Sequence, residues 1–211
     1  ISPAQGRLLP GSQTVTLRFT NAGTNVISSL QLSYRIGQNS PTTETWSGTL
    51  NPGDSINYTF NTSLTVPNQL SINLPFIAWI AQPNGQSDLN PNNDTIVQPL
   101  CVPINAGTYT VGSSTSTFPD VSAWLNYLSC AGIAGPVTFN MELPNDVYTA
   151  GTLRLINIPG VSPSNTITLN GQGDTIRFEA VTSNRALIYL ENTDHVTIRN
   201  FNLVSTAANF G

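Results

Sequence analysis

The sequence predicts an all-β fold built in two parts, and three observations support this prediction. Thr, Ser, Asn, Gly and Pro are abundant, which suits strands that are separated by many turns. Short runs of alternating apolar residues continue to about residue 100. After Cys101, apolar triplets recur at a constant interval instead. A chain of 211 residues is long enough for two such domains.

The first part, residues 1–100, is predicted to be an immunoglobulin-like β-sandwich. Turn sequences such as NAGTN, NPGDS and NPNND separate the apolar runs, at a spacing that suits roughly seven strands in about 100 residues. Each strand should turn one face inward. The expected inward residues are Val15, Leu17 and Phe19; Leu30, Leu32, Tyr34 and Ile36; Ile56, Tyr58 and Phe60; and Ile77, Trp79 and Ala81.

The second part, residues 101–211, is predicted to be an N-terminal cap helix and the first coils of a right-handed parallel β-helix. Thr117 can cap the helix with Asp120 at the third helical position, and Gly132 is suited to end it. The apolar stripe of this helix would cover the first coil. The stripe comprises Val121, Trp124, Leu125 and Leu128.

A constant interval of about 20 residues relates the apolar triplets of the second part. The triplets begin at Ile156, Ile176 and Val196 in one series, and at Ile167 and Leu187 in another. We interpret this interval as the length of one coil, because equivalent inward positions recur once per coil in a solenoid. Ile158, Phe178 and Ile198 should then lie one above another.

Charge excludes two classes of partner. The net charge is -4, and charged side chains are few, with eleven acidic residues and seven scattered cations that are all Arg. This pattern predicts neither a nucleic-acid partner nor an anionic membrane surface. The longest apolar run, near Leu74, is too short to span a bilayer. With no signal peptide and no initiator Met, the sequence is expected to be a mature or internal piece of a protein.

Cys101 and Cys130 are the only cysteines, which leaves a disulfide or two free thiols. We favour the disulfide over buried free thiols. It would stabilise the fold by roughly 3 to 4 kcal/mol on the chain-entropy model. It would also place the protein in an oxidising compartment.

Three motifs in the first part resemble the CARDB-like adhesion modules of bacterial surface proteins. They are RFTNAGTNVISSLQLSYRI, WSGTLNPGDSINYTF and PNGQSDLNPNNDTI, and the resemblance covers about residues 10–100. It implies that the turn residues are structural and that none is catalytic. These residues are Asn21, Gly23, Gly48, Leu50, Pro52, Gly53 and residues 92–94.

The stretch from GTYTVG to NGQGDTI, within about residues 104–180, resembles the β-helix regions of secreted and surface-anchored Bacteroidota proteins, which are typically exported by type IX secretion. This resemblance also implies O-glycosylation at Asp-Ser/Thr-apolar sequences. DSI and two DTI sequences match that pattern, so the candidate acceptors are Ser55, Thr95 and Thr175.

Two groups of acidic residues are candidate sites. Asp88, Asn90 and residues 92–94 offer oxygen ligands at alternating positions, as a calcium loop does at its start, but the glycine and the distal Glu are missing. The favoured interpretation is a turn in which the Asp and Asn side chains hydrogen-bond to the neighbouring backbone. Asp174, Glu191, Asp194 and His195 could form an acidic groove of the kind that cleaves polysaccharides, but solvated corner residues are favoured.

Arginines and tryptophans also have competing interpretations. The expectation for the strand arginines is that they face outward, with an anion or glycan site as the less favoured alternative. They are Arg154, Arg177 and Arg199. Trp79 and Trp124 are predicted to be core residues, whereas Trp46, next to a turn, stays open as a sugar-stacking residue.

Thr166 and Thr168 suggest the flat threonine array of ice-binding solenoids. The 20-residue period places Ala186 and Ile188 at the corresponding positions of the next coil. On that ground the array is rejected.

The leading functional expectation is an extracellular structural or adhesive segment of a large bacterial cell-surface or filament protein. It carries no expectation of catalysis, cofactor or metal. The expected partners are further coils of the same polypeptide beyond Gly211, neighbouring subunits of an extracellular assembly, and surface glycans. The alternative is the first region of a carbohydrate-active β-helix protein, which binds or cleaves polysaccharide through coils downstream. A glycan-binding module that uses Trp46 is a third possibility.

Overall fold

The computed structural model describes residues 3, 6–88, 90–143, 147–148, 152–178 and 186–205. Within these residues the chain is mostly β, with one α-helix and two single-turn 3-10 segments. The chain divides into two compact units, Ile1–Val102 and Pro103–Gly211. Each unit has its own hydrophobic core. The predicted all-β class is therefore confirmed.

Unit 1 contains nine strands among its described residues. They are β1 (Gly6–Arg7), β2 (Gly11–Gln13), β3 (Thr16–Thr20), β4 (Ile27–Ile36), β5 (Thr42–Leu50), β6 (Ser55–Thr59), β7 (Leu64–Val66), β8 (Ser71–Ala81) and β9 (Thr95–Val102). A five-stranded sheet has the order β1-β9-β8-β4-β5, and β2-β7 and β3-β6 form two further pairs. All pairs are antiparallel except β1 with β9.

Alternation identified the inward faces of β3 and β4 correctly. Val15, which precedes β3, is buried together with the alternate residues of both strands. Those residues are Leu17 and Phe19 in β3, and Leu30, Leu32, Tyr34 and Ile36 in β4. Of the predicted set around β6, Phe60 is buried, while Ile56 and Tyr58 are half-buried.

The predicted inward face of β8 is wrong. Phe76 and Ala78 are buried, whereas the predicted residues Ile77, Trp79 and Ala81 lie on the other face and are half-buried. The reason is that residues 76–81 are apolar at every position, so alternation cannot distinguish the two faces. Only the partner strands decide which face meets the core.

Unit 2 begins with a strand, a helix and a second strand. These are β10 (Gly107–Val111), α1 (Val121–Ala131) and β11 (Val137–Met141). Seven further strands follow: β12 (Val147–Tyr148), β13 (Leu153–Ile156), β14 (Ile167–Asn170), β15 (Thr175–Phe178), β16 (Ile188–Glu191), β17 (Val196–Arg199) and β18 (Asn202–Ser205).

The strands of unit 2 form three parallel sheets, each with one strand from each successive pass of the chain. Their orders are β10-β11-β14-β17, β12-β15-β18 and β13-β16. In the four-stranded sheet, Gly107, Val137, Ile167 and Val196 follow one another in register. Asn140 and Asn170, which are also register partners in this sheet, are 30 residues apart. The stacking of strands on the preceding pass agrees with the prediction.

The predicted 20-residue coil is wrong. Phe178 ends β15, Ile198 belongs to β17, and Ile158 follows β13, so the three residues lie in different parts of the coil. The register partner of Ile198 is Leu169 of the preceding pass, and not Phe178. The passes from β11 to β13 and from β14 to β16 each contribute one strand to every sheet, and the spacing between strands of different sheets imitates a shorter coil.

Helix α1 starts three residues later than its predicted Thr117 cap implies. Asp120 is the N-cap, and its carboxylate accepts a hydrogen bond from the backbone nitrogen of Ala123 at 2.7 Å. Gly132 ends the helix at φ 61, and a side chain there would collide with Pro159. Val121, Trp124 and Leu128 are buried as predicted, together with Tyr127 and Ala131, whereas Leu125 of the predicted stripe is half-buried.

Candidate functional site

A cleft of about 480 Å³ lies in unit 1 where two loops approach each other. One loop joins β3 to β4, and the other joins β8 to β9. Main-chain groups, amides and two carboxylates provide its polar lining, and Ile27, Leu30 and Ile80 provide its apolar wall. A concave surface of this kind is where ligand binding would be sought first.

Asn21 holds the first loop of the cleft in place. The side chain is 2 % exposed, and its Nδ2 donates to the backbone oxygens of Asn25 at 2.8 Å and Leu50 at 3.0 Å. Its Oδ1 accepts from the backbone nitrogen of Gly23 at 3.0 Å. Because every polar atom of this buried amide is engaged with the backbone, Asn21 shapes the loop rather than binding a ligand.

Asn84 anchors the second loop of the cleft. This residue adopts φ 52, a left-handed conformation that Asn tolerates. Its Oδ1 accepts from Ser28 Oγ at 2.9 Å and from the Ser28 backbone nitrogen at 2.7 Å, and its Nδ2 donates to the Val26 carbonyl at 2.9 Å. The loop is therefore tied to the start of β4.

The two carboxylates of the cleft are Asp88 and Asp94. Burial raises the pKa of Asp94, and the negative charge of Asp88 raises it further. Asp88 Oδ1 also accepts from the backbone nitrogen of Asn90 at 2.6 Å, which is the turn chemistry favoured for this segment. The described lining contains no Lys or Arg, so the cleft suits neutral hydrogen-bonding groups or cations rather than anions.

The four polar residues of the less favoured acidic groove serve different parts of unit 2, and three of them are exposed, as the favoured interpretation as solvated corner residues expects, whereas Asp174 is not. Asp174 is buried, and its Oδ2 accepts from the backbone nitrogen of Leu143 at 3.0 Å. Glu191 accepts from the hydroxyl of Tyr189 at 3.0 Å, while Asp194 and His195 are exposed before β17. Among the described residues, no three His, Cys, Asp or Glu side chains are grouped as a metal site would require.

The strand arginines face outward, as the sequence predicts. Arg154, Arg177 and Arg199 are exposed. The guanidinium of Arg154 lies 4.4 Å from the centre of the Tyr189 ring, a cation–π contact between neighbouring strands. The pKa of Tyr189 is raised because its hydroxyl donates a hydrogen bond to Glu191 and because the negative charge of Glu191 lies nearby.

One of the two tryptophan predictions is wrong, and the structure decides the case of Trp46, which the sequence left open. Trp46 is buried, and its ring centre lies 5.7 Å from that of Phe19, so its indole is not free to stack on a sugar. Trp79, a predicted core residue, lies instead on the outer face of the five-stranded sheet, between Ser33 and Thr95. Trp124 is fully buried, as predicted.

The candidate glycan acceptors lie at the starts of three strands. Ser55 begins β6 and is exposed, with its Oγ 2.7 Å from Thr20 Oγ1. Thr95 begins β9 and is exposed, and Thr175 begins β15 and is half-buried. Glycosylation at these positions stays a prediction.

The ground for rejecting the threonine array is wrong. Thr168 does not correspond to Ile188; its register neighbours are Thr138 and Thr197, and Thr108 adjoins Thr138. One outward column thus contains threonine in all four strands. The adjacent outward column is mixed, with Thr110, Asn140, Asn170 and Arg199, so the described residues do not form a second threonine column.

Sequence reasoning missed a column of asparagine side chains at one end of the four-stranded sheet, where Asn140 and Asn170 lie in β11 and β14 and Asn200 follows β17. Asn170 Nδ2 donates to Asn140 Oδ1 at 2.8 Å, and Asn200 Nδ2 donates to Asn170 Oδ1 at 2.8 Å. A second pair, Asn192 to Asn157 at 2.9 Å, bonds in the same way. The identical 30-residue spacing of the first three residues was the signal that could have revealed the column.

A disulfide joins Cys101, in the last strand of unit 1, to Cys130, in helix α1. The sequence left open a disulfide or two free thiols and favoured the disulfide, which is confirmed. The fold and its candidate sites define an all-β protein of two units that contains a disulfide.

Comparison of the chain with protein-family models, with curated proteins and with solved structures finds no match. In the described part of the chain, no helix has the length and hydrophobicity to cross a bilayer.

Proposed function

We propose that this chain is an extracellular structural or adhesive segment of a large bacterial cell-surface or filament protein. The disulfide between Cys101 and Cys130 is the observation that carries the proposal. Disulfides persist in oxidising compartments and are rare in the reducing cytosol of mesophiles. A stack of hydrogen-bonded parallel strands also supports a mechanical role, because each layer supports the next.

The finer fold assignment belongs to the same proposal. We infer that unit 1 is an immunoglobulin-like, CARDB-like sandwich, and that unit 2 is the start of a right-handed parallel β-helix. The single five-stranded sheet beside two strand pairs supports the first assignment. The parallel pairing of successive passes in three sheets supports the second, and right-handed connections between parallel strands are the general rule. The resemblance to Bacteroidota proteins exported by type IX secretion is part of this proposal.

Labelling of intact cells tests the location. Antibodies raised against the chain are expected to label unpermeabilised cells of the source organism, and protease added outside should remove the label. An antibody against a cytoplasmic protein is the control. Labelling that requires permeabilisation would refute the extracellular assignment.

Deletion tests the structural or adhesive role. A strain that lacks the codons for residues 1–211 should attach less to surfaces or assemble altered filaments, while the remainder of the protein is still exported. A strain that carries Cys101→Ser and Cys130→Ser together is the matched variant with full chain length. Unchanged attachment and assembly in the deletion strain would contradict this role.

Polysaccharide binding is a second candidate function, and the position of Trp79 favours it. The half-buried indole lies on an outer sheet face, with Ser33 and Thr95 as its cross-strand neighbours. An aromatic side chain bordered by hydroxyls suits the apolar face of a sugar ring. Coils downstream would then supply any cleavage of the polysaccharide.

Glycan-array binding distinguishes this candidate from the first. If unit 1 binds glycans at this face, Trp79→Ala should abolish binding, while Thr45→Ala, an exposed change on the same sheet face opposite Gln31, should have little effect. Binding that survives Trp79→Ala would rule out this face. Intact-mass measurement of the native protein separately tests the proposed glycans on Ser55, Thr95 and Thr175.

A further inference from the structure

Four side chains on the outer face of the five-stranded sheet in unit 1 form one surface, which we call the outer patch. Ile77 and Trp79 lie two residues apart in β8. Val97 of β9 is the register partner of Ile77 on one side, and Arg35 of β4 is its partner on the other. Val97 is 59 % exposed, and the other three are half-buried. Exposed apolar side chains that lie together mark interaction sites, whereas single ones do not.

The guanidinium of Arg35 is not neutralised within unit 1. In the described part of the chain, no carboxylate or carbonyl pairs with it, and it is not stacked on an aromatic ring. The residues of unit 1 outside the described ranges include no Asp or Glu. The planar fork of Arg matches a carboxylate through two parallel hydrogen bonds. Unit 1 therefore leaves this fork available to a ligand.

The charge of the outer face favours an acidic ligand. The chain has eleven acidic residues and a net charge of -4. None of these acidic residues lies at a described outward position of this sheet, and the two charged residues at such positions are both arginines, Arg35 and Arg7. An anion meets no repulsion here, and electrostatic complementarity selects a partner of opposite charge.

The neighbours of Trp79 favour a sugar over a peptide. Ser33 and Thr95 flank the indole across the strands, and the indole offers an apolar face to a sugar ring. Ser33 Oγ is already bonded to Thr43 Oγ1 at 2.8 Å, so Thr95 provides the exposed hydroxyl beside the ring. A peptide that adds to a sheet needs an open strand edge, whereas β4 and β8 are paired on both sides.

The spacing of the outer patch suits a sugar that carries its own carboxylate. Arg35 and Trp79 are diagonal neighbours on adjacent strands, and the Cα atoms of such neighbours lie about 7 to 8 Å apart. The carboxylate of a uronic acid is attached to the sugar ring. A ring that stacks on Trp79 can therefore place its carboxylate within reach of the Arg35 guanidinium.

We infer that the outer patch binds an acidic polysaccharide, in which Trp79 stacks on a sugar ring and Arg35 pairs with the carboxylate of a uronic acid. Ile77 and Val97 would pack against the adjoining sugar. The inference rests on polysaccharide binding, the second candidate function. It adds the chemical class of the polysaccharide and the residue that selects this class.

Two polymers with the same backbone test the charge of the ligand. Polygalacturonate has a free carboxylate on each sugar, and its fully methyl-esterified form has none. In isothermal titration, the chain should bind polygalacturonate at least about tenfold more tightly than the ester, because the ester cannot form the charge-assisted contact. The chain is used without added glycans, since a glycan on Thr95 would itself lie beside Trp79. Equal affinity for the two polymers would overturn the inference.

Substitution of Arg35 tests the residue that selects the charge. Arg35→Gln should remove the preference for polygalacturonate, and Arg35→Lys should retain part of it, because Lys keeps the charge but loses the fork. NMR spectra check the fold of each variant. If Arg35→Gln unfolds unit 1, the milder Arg35→Lys decides the test, and a preference equal to that of the wild-type chain contradicts the inference.

Arg18→Gln is the matched control for net charge. It removes the same charge from an exposed position in β3, a strand outside the five-stranded sheet. The preference for polygalacturonate should be unchanged in this variant. An equal loss of preference in Arg18→Gln and Arg35→Gln would show an effect of net charge alone and would contradict the inference.

Other occupants of the outer patch give different results. Polyglutamate that binds as tightly as polygalacturonate, with the same dependence on Arg35, would identify an acidic peptide as the ligand. Dextran sulfate that binds in preference to polygalacturonate would identify a sulfate. A dimer in sedimentation that Val97→Ser dissociates would place a second copy on the patch. Each of these results overturns the inference.

The inference and polysaccharide binding can fail separately. If the acid and the ester bind equally well and Trp79→Ala abolishes both, polysaccharide binding stands and the acidic class is wrong. If the chain binds no polysaccharide, both are wrong. Binding of polygalacturonate that Trp79→Ala abolishes, with a preference that Arg35→Gln removes, supports both.

Discussion

The two units of the chain both hold their backbones in place with asparagine side chains, but they use them in different ways. In unit 1, Asn21 and Asn84 each lock one loop, and each makes a set of hydrogen bonds that no equivalent residue repeats. In unit 2, Asn140, Asn170 and Asn200 make the same bond from layer to layer. Antiparallel strands joined by unlike turns need a particular lock for each turn, whereas parallel strands that stack pass upon pass can use one device repeatedly.

This difference predicts how damage spreads. Unit 1 closes around a single core, so a substitution there should weaken that core as a whole. In unit 2 each layer is buried by its neighbours, so stability should depend on the first layers. The following predictions test this contrast, from the largest expected effect to the smallest.

Trp124→Ala should have the largest effect. The indole is fully buried against Phe139 at the start of the stack, so its loss should lower the free energy of unfolding of unit 2 by about 3 to 5 kcal/mol. Urea titration followed by NMR signals of each unit measures this change. Trp79→Ala, with its half-buried outward side chain, is the control and should cost less. An equal loss in the two variants would contradict the assignment of faces.

Removal of the disulfide should come next. Cys101→Ser with Cys130→Ser, or a reductant, should lower the free energy of unfolding by roughly 3 to 4 kcal/mol, because the unfolded chain gains loop freedom. Thermal unfolding with and without reductant measures it. The unfolding temperature of the double variant should not change with reductant. If the unfolding temperature of the wild-type chain does not change either, the disulfide does not stabilise the fold.

Asn170→Ala should have a smaller effect that is specific to unit 2. Asn170 donates to Asn140 and accepts from Asn200, so its loss removes two hydrogen bonds and should cost about 1 to 3 kcal/mol. Asn200→Ala removes one bond and should cost about half as much. Denaturant midpoints of the two variants give the ratio. Equal midpoints would show that the column does not act layer by layer.

Acid should weaken unit 1 through Glu44. Partial burial opposes ionisation of this carboxyl, but hydrogen bonds from Tyr58 Oη and from the backbone nitrogens of Asn61 and Thr62 outweigh it and lower the pKa. The carboxylate therefore adds stability that is complete above its ordinary pKa of about 4.5 and is lost as the pH falls through the lower value of the folded state. Glu44→Gln should remove this pH dependence of unit 1.

Alkaline pH should weaken unit 1 through Tyr58, the hydrogen-bond partner of Glu44. Burial, together with the hydrogen bond and charge of Glu44, raises the pKa of Tyr58 to about 12. Its contribution to stability should be complete below its ordinary pKa of 10 and lost as the pH rises through the raised value. Tyr absorbance titration measures this pKa. Glu142→Gln, a change in unit 2, is the control. It should leave the stability of unit 1 unchanged at both acid and alkaline pH.

Much of the architecture was predictable because it depends on local patterns. Alternation identified the inward faces of β3 and β4, where each apolar residue has a polar neighbour. Turn residues separated the strands of unit 1, and an apolar stripe with a following Gly132 identified helix α1. These features need only side chains within a few residues of one another.

Pairing between distant strands could not be predicted from the same patterns. Residues 76–81 are apolar on both faces, so only the neighbouring strands decide that Phe76 is buried and Trp79 lies outside. Trp46 lies next to a turn in sequence, but Phe19 of another strand covers it.

By itself the sequence determined the all-β class, the helix and the existence of a repeating stack, because local propensity and periodicity determine them. Only the tertiary structure decided the length of the coil and the residues that meet in it. Three sheets share each coil, so Leu169 and Ile198 become neighbours on successive passes, while Phe178 and Ile198, which the shorter period would pair, belong to different sheets. Register is a property of paired backbones, and no single strand contains it.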